Sequence, residues 1–259
     1  MEVVICKTRE QASRLAADMI TAAVSKNPKL VLGLATGSTP VALYNELAKD
    51  VKAKKASYKL VKSWNLDEYV GLAGTHEQSY RYFMNENLFK KIDIKLANTH
   101  VLNGLAKNPE RECRAYEAQI KRAGGIDIQV LGIGSDGHIA FNEPGTSLAS
   151  RTSVVYLTPS TIKDNARLFF KGKEDEVPTR ALSMGVGTIC EAKRIILLAF
   201  GKGKAEAIKG CVEGGIGQFC TASALQMHND AWIFCDEEAA SKLKLKNYYR
   251  WRSATKLGL

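Results

Sequence analysis

The chain has 259 residues, 45% of them hydrophobic and 25% charged, with a formal net charge of +10 at pH 7. That length suits one large domain or two small ones, and the composition excludes a disordered or fibrous chain. The basic surplus fits an anionic partner, but its densest group, Lys52, Lys54, Lys55, Lys59 and Lys62, is interrupted by apolar residues and reads as a solvated face. No nucleic-acid-binding motif accompanies it, so the expected partner is a small phosphorylated molecule and not nucleic acid. The six cysteines, Cys6, Cys113, Cys190, Cys211, Cys220 and Cys235, never occur as Cys-x-x-Cys. They point to reduced thiols in a cytoplasmic protein, without a disulfide frame or a zinc site. The N-terminus shows no basic region followed by a hydrophobic leader, and no apolar run approaches membrane-spanning length, so no membrane is expected.

Six short apolar runs read as buried strands, taken in order as Val3–Cys6, Leu30–Ala35, Val61–Asn65, Ile128–Ile133, Arg194–Phe200 and Ala231–Cys235. Between them Glu10–Ser25, Thr39–Val51, Gln78–Lys90 and Pro109–Ala123 carry apolar residues at helical spacing. Nearly continuous apolar strands alternating with helices predict an α/β fold, a doubly wound, mostly parallel sheet with helices on both faces. No repeat, low-complexity tract or linker divides the chain, so residues 1–259 are expected to form a single domain. The stretch 152–180 holds a short strand (Ser153–Leu157), a helical piece (Ser160–Phe170) and a charged segment ended by Pro178. It reads equally as a helical lid over a site or as a surface excursion that only packs.

In such sheets ligands bind beyond the carboxyl ends of the strands, and three polar motifs follow strand runs. The first, Leu34-Ala35-Thr36-Gly37-Ser38-Thr39-Pro40, opens a helix. Gly37 lets the backbone approach a ligand, Ser38 and Thr39 add hydroxyls, and Pro40 suits a first helical turn. The whole reads as an anion site at a helix N-terminus or as a plain helix cap. The second, Asn65-Leu66-Asp67-Glu68-Tyr69, puts two acids at a strand end. Adjacent residues face opposite ways, so at most one of Asp67 and Glu68 is a reacting base, and the spacing does not say which.

The third runs from Gly132 to Pro144 as GIGSDGHIAFNEP. Gly134 and Gly137 sharpen the turn so that Asp136, His138 and Glu143 can converge. A histidine between two carboxylates is the arrangement of a proton carrier. A metal site is the competing reading, but it needs three or four ligands and no further His or Cys lies nearby in sequence. No metal is therefore expected. Two later cations, Arg167 in the helical piece and Lys204 just after the strand run ending at Phe200, could each hold a phosphate. The spacing Gly132-x-Gly134-x-x-Gly137 does not open a clean helix, which argues against a dinucleotide.

With these segments in order, the chain resembles the glucosamine-6-phosphate deaminase family over essentially its full length. The resemblance is carried by Asn65–Gly71 (NLDEYVG), Gly134–Pro144 (GSDGHIAFNEP) and Ser147–Thr152 (SLASRT). It implies a Rossmann-like α/β domain and the cofactor-free conversion of glucosamine 6-phosphate and water to fructose 6-phosphate and ammonia. By the same resemblance Asp67 is the base that moves a proton from carbon 2 to carbon 1. His138 opens the sugar ring, with Asp136 and Glu143 orienting it. Gly37, Ser38, Thr39, Arg167 and Lys204 match the phosphate-binding positions.

One departure stands out. Family members activated by N-acetylglucosamine 6-phosphate use basic residues just after the SRT segment, where this chain has Ser153-Val154-Val155-Tyr156, and its C-terminus, ending at Leu259, reads as shorter. Loss of that activation is expected, which leaves monomer and homo-oligomer both open. Two rival readings remain, a 6-phosphogluconolactonase-like hydrolase and a non-catalytic sugar-phosphate sensor. The continuation Ile139-Ala140-Phe141-Asn142-Glu143-Pro144 and Asp67 oppose the first, and retention of all four candidate acid–base residues opposes the second.

Overall fold

A computed structural model describes residues 1–258; Leu259 lies outside the described residues. Strands β1 (Glu2–Cys6), β2 (Val31–Leu34), β3 (Lys62–Asn65), β5 (Thr99–His100), β6 (Ile128–Leu131), β9 (Arg194–Ala199) and β10 (Ala231–Asp236) form one sheet. Their spatial order is β1-β10-β9-β6-β2-β3-β5, and every pairing is parallel. The pattern of the sequence explains this arrangement. Leu32, Leu34, Val130, Leu131 and the run Ile195, Ile196, Leu197, Leu198 are buried irrespective of which way alternate side chains point, so both faces must be covered.

Helices α1 (Arg9–Lys26), α2 (Val41–Lys52), α3 (Tyr80–Asn87), α4 (Pro109–Arg122), α5 (Pro159–Phe169), α6 (Val186–Cys190), α7 (Ala205–Glu213) and α8 (Lys246–Leu257) fill the connections. Several start at caps written in the sequence. Thr8 accepts from the Gln11 amide at α1, Asn108 from Arg111 at α4, and Thr158 from Thr161 at α5, the last two with proline in the first turn. None of the described helices is long and apolar enough to cross a membrane.

The chain runs from β2 to β3 and β5 on one side, then returns to β6 and proceeds the other way through β9 to β10. β2 and β6 are therefore neighbours whose following loops diverge, and the crevice of a doubly wound sheet opens at such a reversal. The two strands meet at Gly33 and Gln129, where a Cβ on Gly33 would fall 2.0 Å from the buried Gln129 amide oxygen. Only a missing side chain leaves room for that contact.

Of a second sheet only one strand, expected at Ser153–Leu157, was legible in the sequence. This sheet is antiparallel, in the order β4 (Asp67–Tyr69), β8 (Arg180–Ser183), β7 (Ser153–Tyr156). With α5 it encloses its own small core of Tyr69, Phe141, Leu157, Ala166, Phe170, Val177 and Ala181, separate from the main one. The excursion at 152–180 thus consists of one strand of this sheet, β7, and the helix α5, and leads into β8.

Candidate active site

The loops after β2 and β6 line a single cavity of about 440 Å³ at the carboxyl end of the sheet. Of the nine residues singled out in the sequence, eight line it: Gly37, Ser38, Thr39, Asp67, Asp136, His138, Arg167 and Lys204. Glu143 stands behind His138, with Oε2 3.5 Å from the ring Nδ1.

The anion end is built from backbone. Gly37 has φ +88°, a conformation that glycine adopts without strain, and a Cβ there would meet no protein atom within 4 Å. Pro40 occupies the cap position of α2 and not its first turn. No side chain caps this helix and no acid sits in its first turn, so its N-terminal amides remain available to an anion. Arg167 lies on α5, paired 3.1 Å from Asp164, and Lys204 sits just ahead of α7. Burial lowers the lysine's proton affinity, and the carboxylates of Asp164 and Asp136 oppose that shift. A bound anion would draw both cations toward it.

The two adjacent acids separate cleanly. Asp67 opens onto the cavity, whereas Glu68 turns away and accepts hydrogen bonds from the backbone amides of Tyr69 (2.9 Å), Tyr80 (2.9 Å) and Arg81 (3.0 Å). Glu68 therefore anchors the start of α3 and has no face free for chemistry. Burial raises its proton affinity, the three amides pulling against it. Asp67 has no such donors. Burial, then the neighbouring charge of Glu68, pushes it up to about 8.

At the His138 turn, Gly134 N–H donates to the His138 carbonyl (2.8 Å) and Gly137 takes φ +92°. The imidazole lies against Gly134, where a Cβ would fall 2.4–2.7 Å from three ring atoms. Nδ1 comes within 2.8 Å of Asp136 Oδ1, a contact close in distance but outside good hydrogen-bond alignment. The same Oδ1 accepts from the His138 backbone amide at 3.1 Å. Although burial works against ionisation, these His138 contacts bring Asp136 down to about 2. The loop beyond is pinned from below. Asn142 donates to Ile139 O and Met184 O, Phe141 N–H donates to Ser183 Oγ, and Thr221 bonds Ile139 N–H and Asn142 O. Held this way, Ala140 adopts φ +52°, unusual for a residue with a side chain.

Several cavity residues escaped the sequence reading. Arg9 adds a third cation, 5.1 Å over the Phe200 ring, and its place directly after β1 was the available signal. Tyr80 stacks on Phe141 at 6.0 Å, and Asn165 of α5 donates to the Tyr69 hydroxyl at 2.8 Å. Nothing in their local sequence marks them, because the second sheet and α5 bring them in.

Comparison with known proteins gives the family. Residues 7–233 match the family model described as glucosamine-6-phosphate isomerases/6-phosphogluconolactonase. Glucosamine-6-phosphate deaminase of Shewanella loihica is 53% identical, covering 96% of this chain and 92% of that protein. The one from Clostridioides difficile is 51% identical, covering 96% and 99%. A solved structure of a monomeric glucosamine-6-phosphate deaminase superposes with a TM-score of 0.90 at 45% identity, covering 93% of this chain and 100% of that one. The 6-phosphogluconolactonase of Trypanosoma cruzi, at 21% identity and a TM-score of 0.76 over 94% and 97%, shares the fold. With a family match spanning most of its length and relatives half identical to it, the chain belongs to the glucosamine-6-phosphate deaminase family of enzymes.

Proposed function

We propose that this enzyme converts glucosamine 6-phosphate and water to fructose 6-phosphate and ammonia. The observation that carries the reading is one cavity lined by a free carboxylate, a carboxylate-flanked histidine, uncapped helix amides and two cations. The phosphate sits at Gly37, Ser38 and Thr39 with Arg167 and Lys204, and this remote contact positions the reacting carbons. His138, oriented by Asp136 and Glu143, delivers the proton that opens the ring. Asp67 then takes the proton from carbon 2 to give an enolamine and returns it to carbon 1. The resulting imine at carbon 2 is hydrolysed by water, which supplies the ketone oxygen and releases ammonia. No step requires a cofactor. In this scheme α5 serves as a lid that carries Arg167 to the phosphate, and the reaction takes place in the cytoplasm.

The reading is tested by incubating the protein with glucosamine 6-phosphate and following both products. Equimolar ammonia and fructose 6-phosphate support it. No release of either, with hydrolysis of 6-phosphogluconolactone instead, overturns it in favour of the lactonase. Removing either phosphate cation is expected to act on binding. Lys204→Ala and Arg167→Ala should each raise KM about 10- to 100-fold with a smaller effect on kcat, since a charge-assisted hydrogen bond contributes about 1.5–3 kcal/mol.

We also propose that N-acetylglucosamine 6-phosphate does not activate this enzyme. The residues after Thr152 form β7 and include no Lys or Arg, while Arg151 is already engaged by Glu117 and Glu191 at 2.5 Å each. Initial rates should follow a hyperbola in substrate, unchanged by the acetylated sugar phosphate. A sigmoidal curve that the effector straightens would refute this. A monomer fits the loss of that activation, as does the solved relative described as monomeric.

A further inference from the structure

We propose that Asp136, His138 and Glu143 form a divalent transition-metal site, and that occupation by an ion such as Zn²⁺ reversibly shuts the enzyme down. This goes beyond the reaction above, which needs no metal; the site stands on atom positions, and the inhibition rests on the proposed role of His138 as proton carrier.

The sequence objection to a metal here was a shortage of ligands. The structure supplies three, with His138 Nδ1 and one oxygen from each carboxylate all within 4.8 Å of one another. Nδ1 is 2.8 Å from Asp136 Oδ1 and 3.5 Å from Glu143 Oε2. Tetrahedral zinc with bonds near 2.0–2.1 Å separates its ligand atoms by about 3.3 Å, so both separations from Nδ1 lie within about half an ångström of that value, and the two carboxylates, within 4.8 Å of each other, close on the ion by turning their side chains.

A second observation is that two of these atoms are buried in charge contact but without a well-aligned hydrogen bond. Neither Nδ1 of His138 nor Oε2 of Glu143 makes a hydrogen bond, although the Glu143 side chain is only 9% exposed. Buried polar atoms are ordinarily satisfied, and here they face each other across the space where an ion would sit. Glu143 is also held from its other oxygen, which accepts from the Thr158 amide and hydroxyl at 3.3 Å, leaving Oε2 directed inward. Two carboxylates and a neutral imidazole carry a charge of −2, which a divalent cation balances.

Asp136 and His138 line the cavity while Glu143 stands behind them, so the fourth position opens toward solvent or a substrate oxygen. Nitrogen and carboxylate oxygen together favour zinc-class ions over magnesium or calcium, which prefer oxygen alone. An ion on Nδ1 takes the place of the contacts to Asp136 and Glu143 and blocks the doubly protonated ring, leaving Nε2–H too weak an acid to open the sugar ring, and that is the source of the inhibition. The thiols offer poor competition, because burial raises the proton affinity of all six.

The test is titration of metal-free protein with Zn²⁺ by calorimetry, alongside the absorption spectrum of the Co²⁺ form. One equivalent should bind per chain, activity should fall with occupancy and return with chelator, and the cobalt spectrum should show nitrogen and oxygen ligands without thiolate charge transfer. His138→Gln and Glu143→Gln should each weaken binding at least about tenfold, with Cys220→Ser binding as before. The inference fails if no ion binds below ~0.1 mM, if cobalt reports thiolate, or if both variants bind as tightly as the parent. The cobalt spectrum of the unmutated protein decides the matter even if a variant does not fold.

Discussion

Asp67→Asn is expected to reduce turnover of glucosamine 6-phosphate by about 10²- to 10⁴-fold, the usual contribution of a positioned general base, with little change in substrate binding. The same variant should be more stable than its parent. Asp67 is raised from 3.8 to about 8 by burial and by Glu68. A carboxyl whose proton affinity is higher in the folded state favours folding fully below the unfolded value, and that contribution is lost as pH rises through the folded value. The penalty therefore builds up between about pH 4 and pH 8, at about 1.4 kcal/mol for each tenfold change in proton affinity. Asparagine never ionises and escapes it. Melting curves should show Asp67→Asn about 5 °C or more above the parent at pH 8, with the gap closing toward pH 5. Equal melting temperatures at both pH values would show that Asp67 is not held in this environment. In the free enzyme, kcat/KM should rise with pH on a limb near 8. Within the complex, the substrate's ammonium group beside the carboxylate should move that limb lower.

Gly134→Ala should be nearly as damaging, without touching an ionisable group. A Cβ at this position would fall 2.4 Å from His138 Cε1 and 2.5 Å from Nδ1. Neither side can yield easily, since Gly134 and His138 are tied by a backbone hydrogen bond of 2.8 Å. The ring must swing away from Asp136 and Glu143, and a misplacement of about 1 Å is enough to cost about 10²-fold in rate. Circular dichroism of the variant should remain that of the parent while kcat falls by this order and KM changes little. Activity within a factor of about two of the parent would mean that the ring position seen here is not the working one.

Much of the frame could be read from residue patterns, and the reasons differ from element to element. Six parallel strands of four to six residues announced themselves because both faces of the sheet must be covered. β5, with two residues, was too short to carry a pattern. β8, RALS, begins with an exposed arginine directly after a proline-terminated charged segment. α8 buries only Ser253, so its aromatic residues follow no apolar stripe. The GSDGHIAFNEP segment yielded three converging side chains since its own glycines make the turn. The choice between Asp67 and Glu68, by contrast, rests on amides of Tyr80 and Arg81, more than ten residues away. Arg9, Tyr80 and Asn165 stayed hidden for the same reason, as each reaches the cavity through tertiary packing.

The opposite orientation of Asp67 and Glu68 also bears on how this gene can change. The two carboxylates differ by one methylene and by the side of β4 they occupy, and the alternation of a strand assigns those sides. A point mutation can alter either acid singly. A one-codon insertion or deletion around Leu66, between β3 and β4, would instead swap the faces of both, turning Glu68 to the cavity side and Asp67 to the side of the amides. Since every residue from Ser63 to Tyr69 is buried, a change of length here would displace all of them at once, where a substitution displaces one.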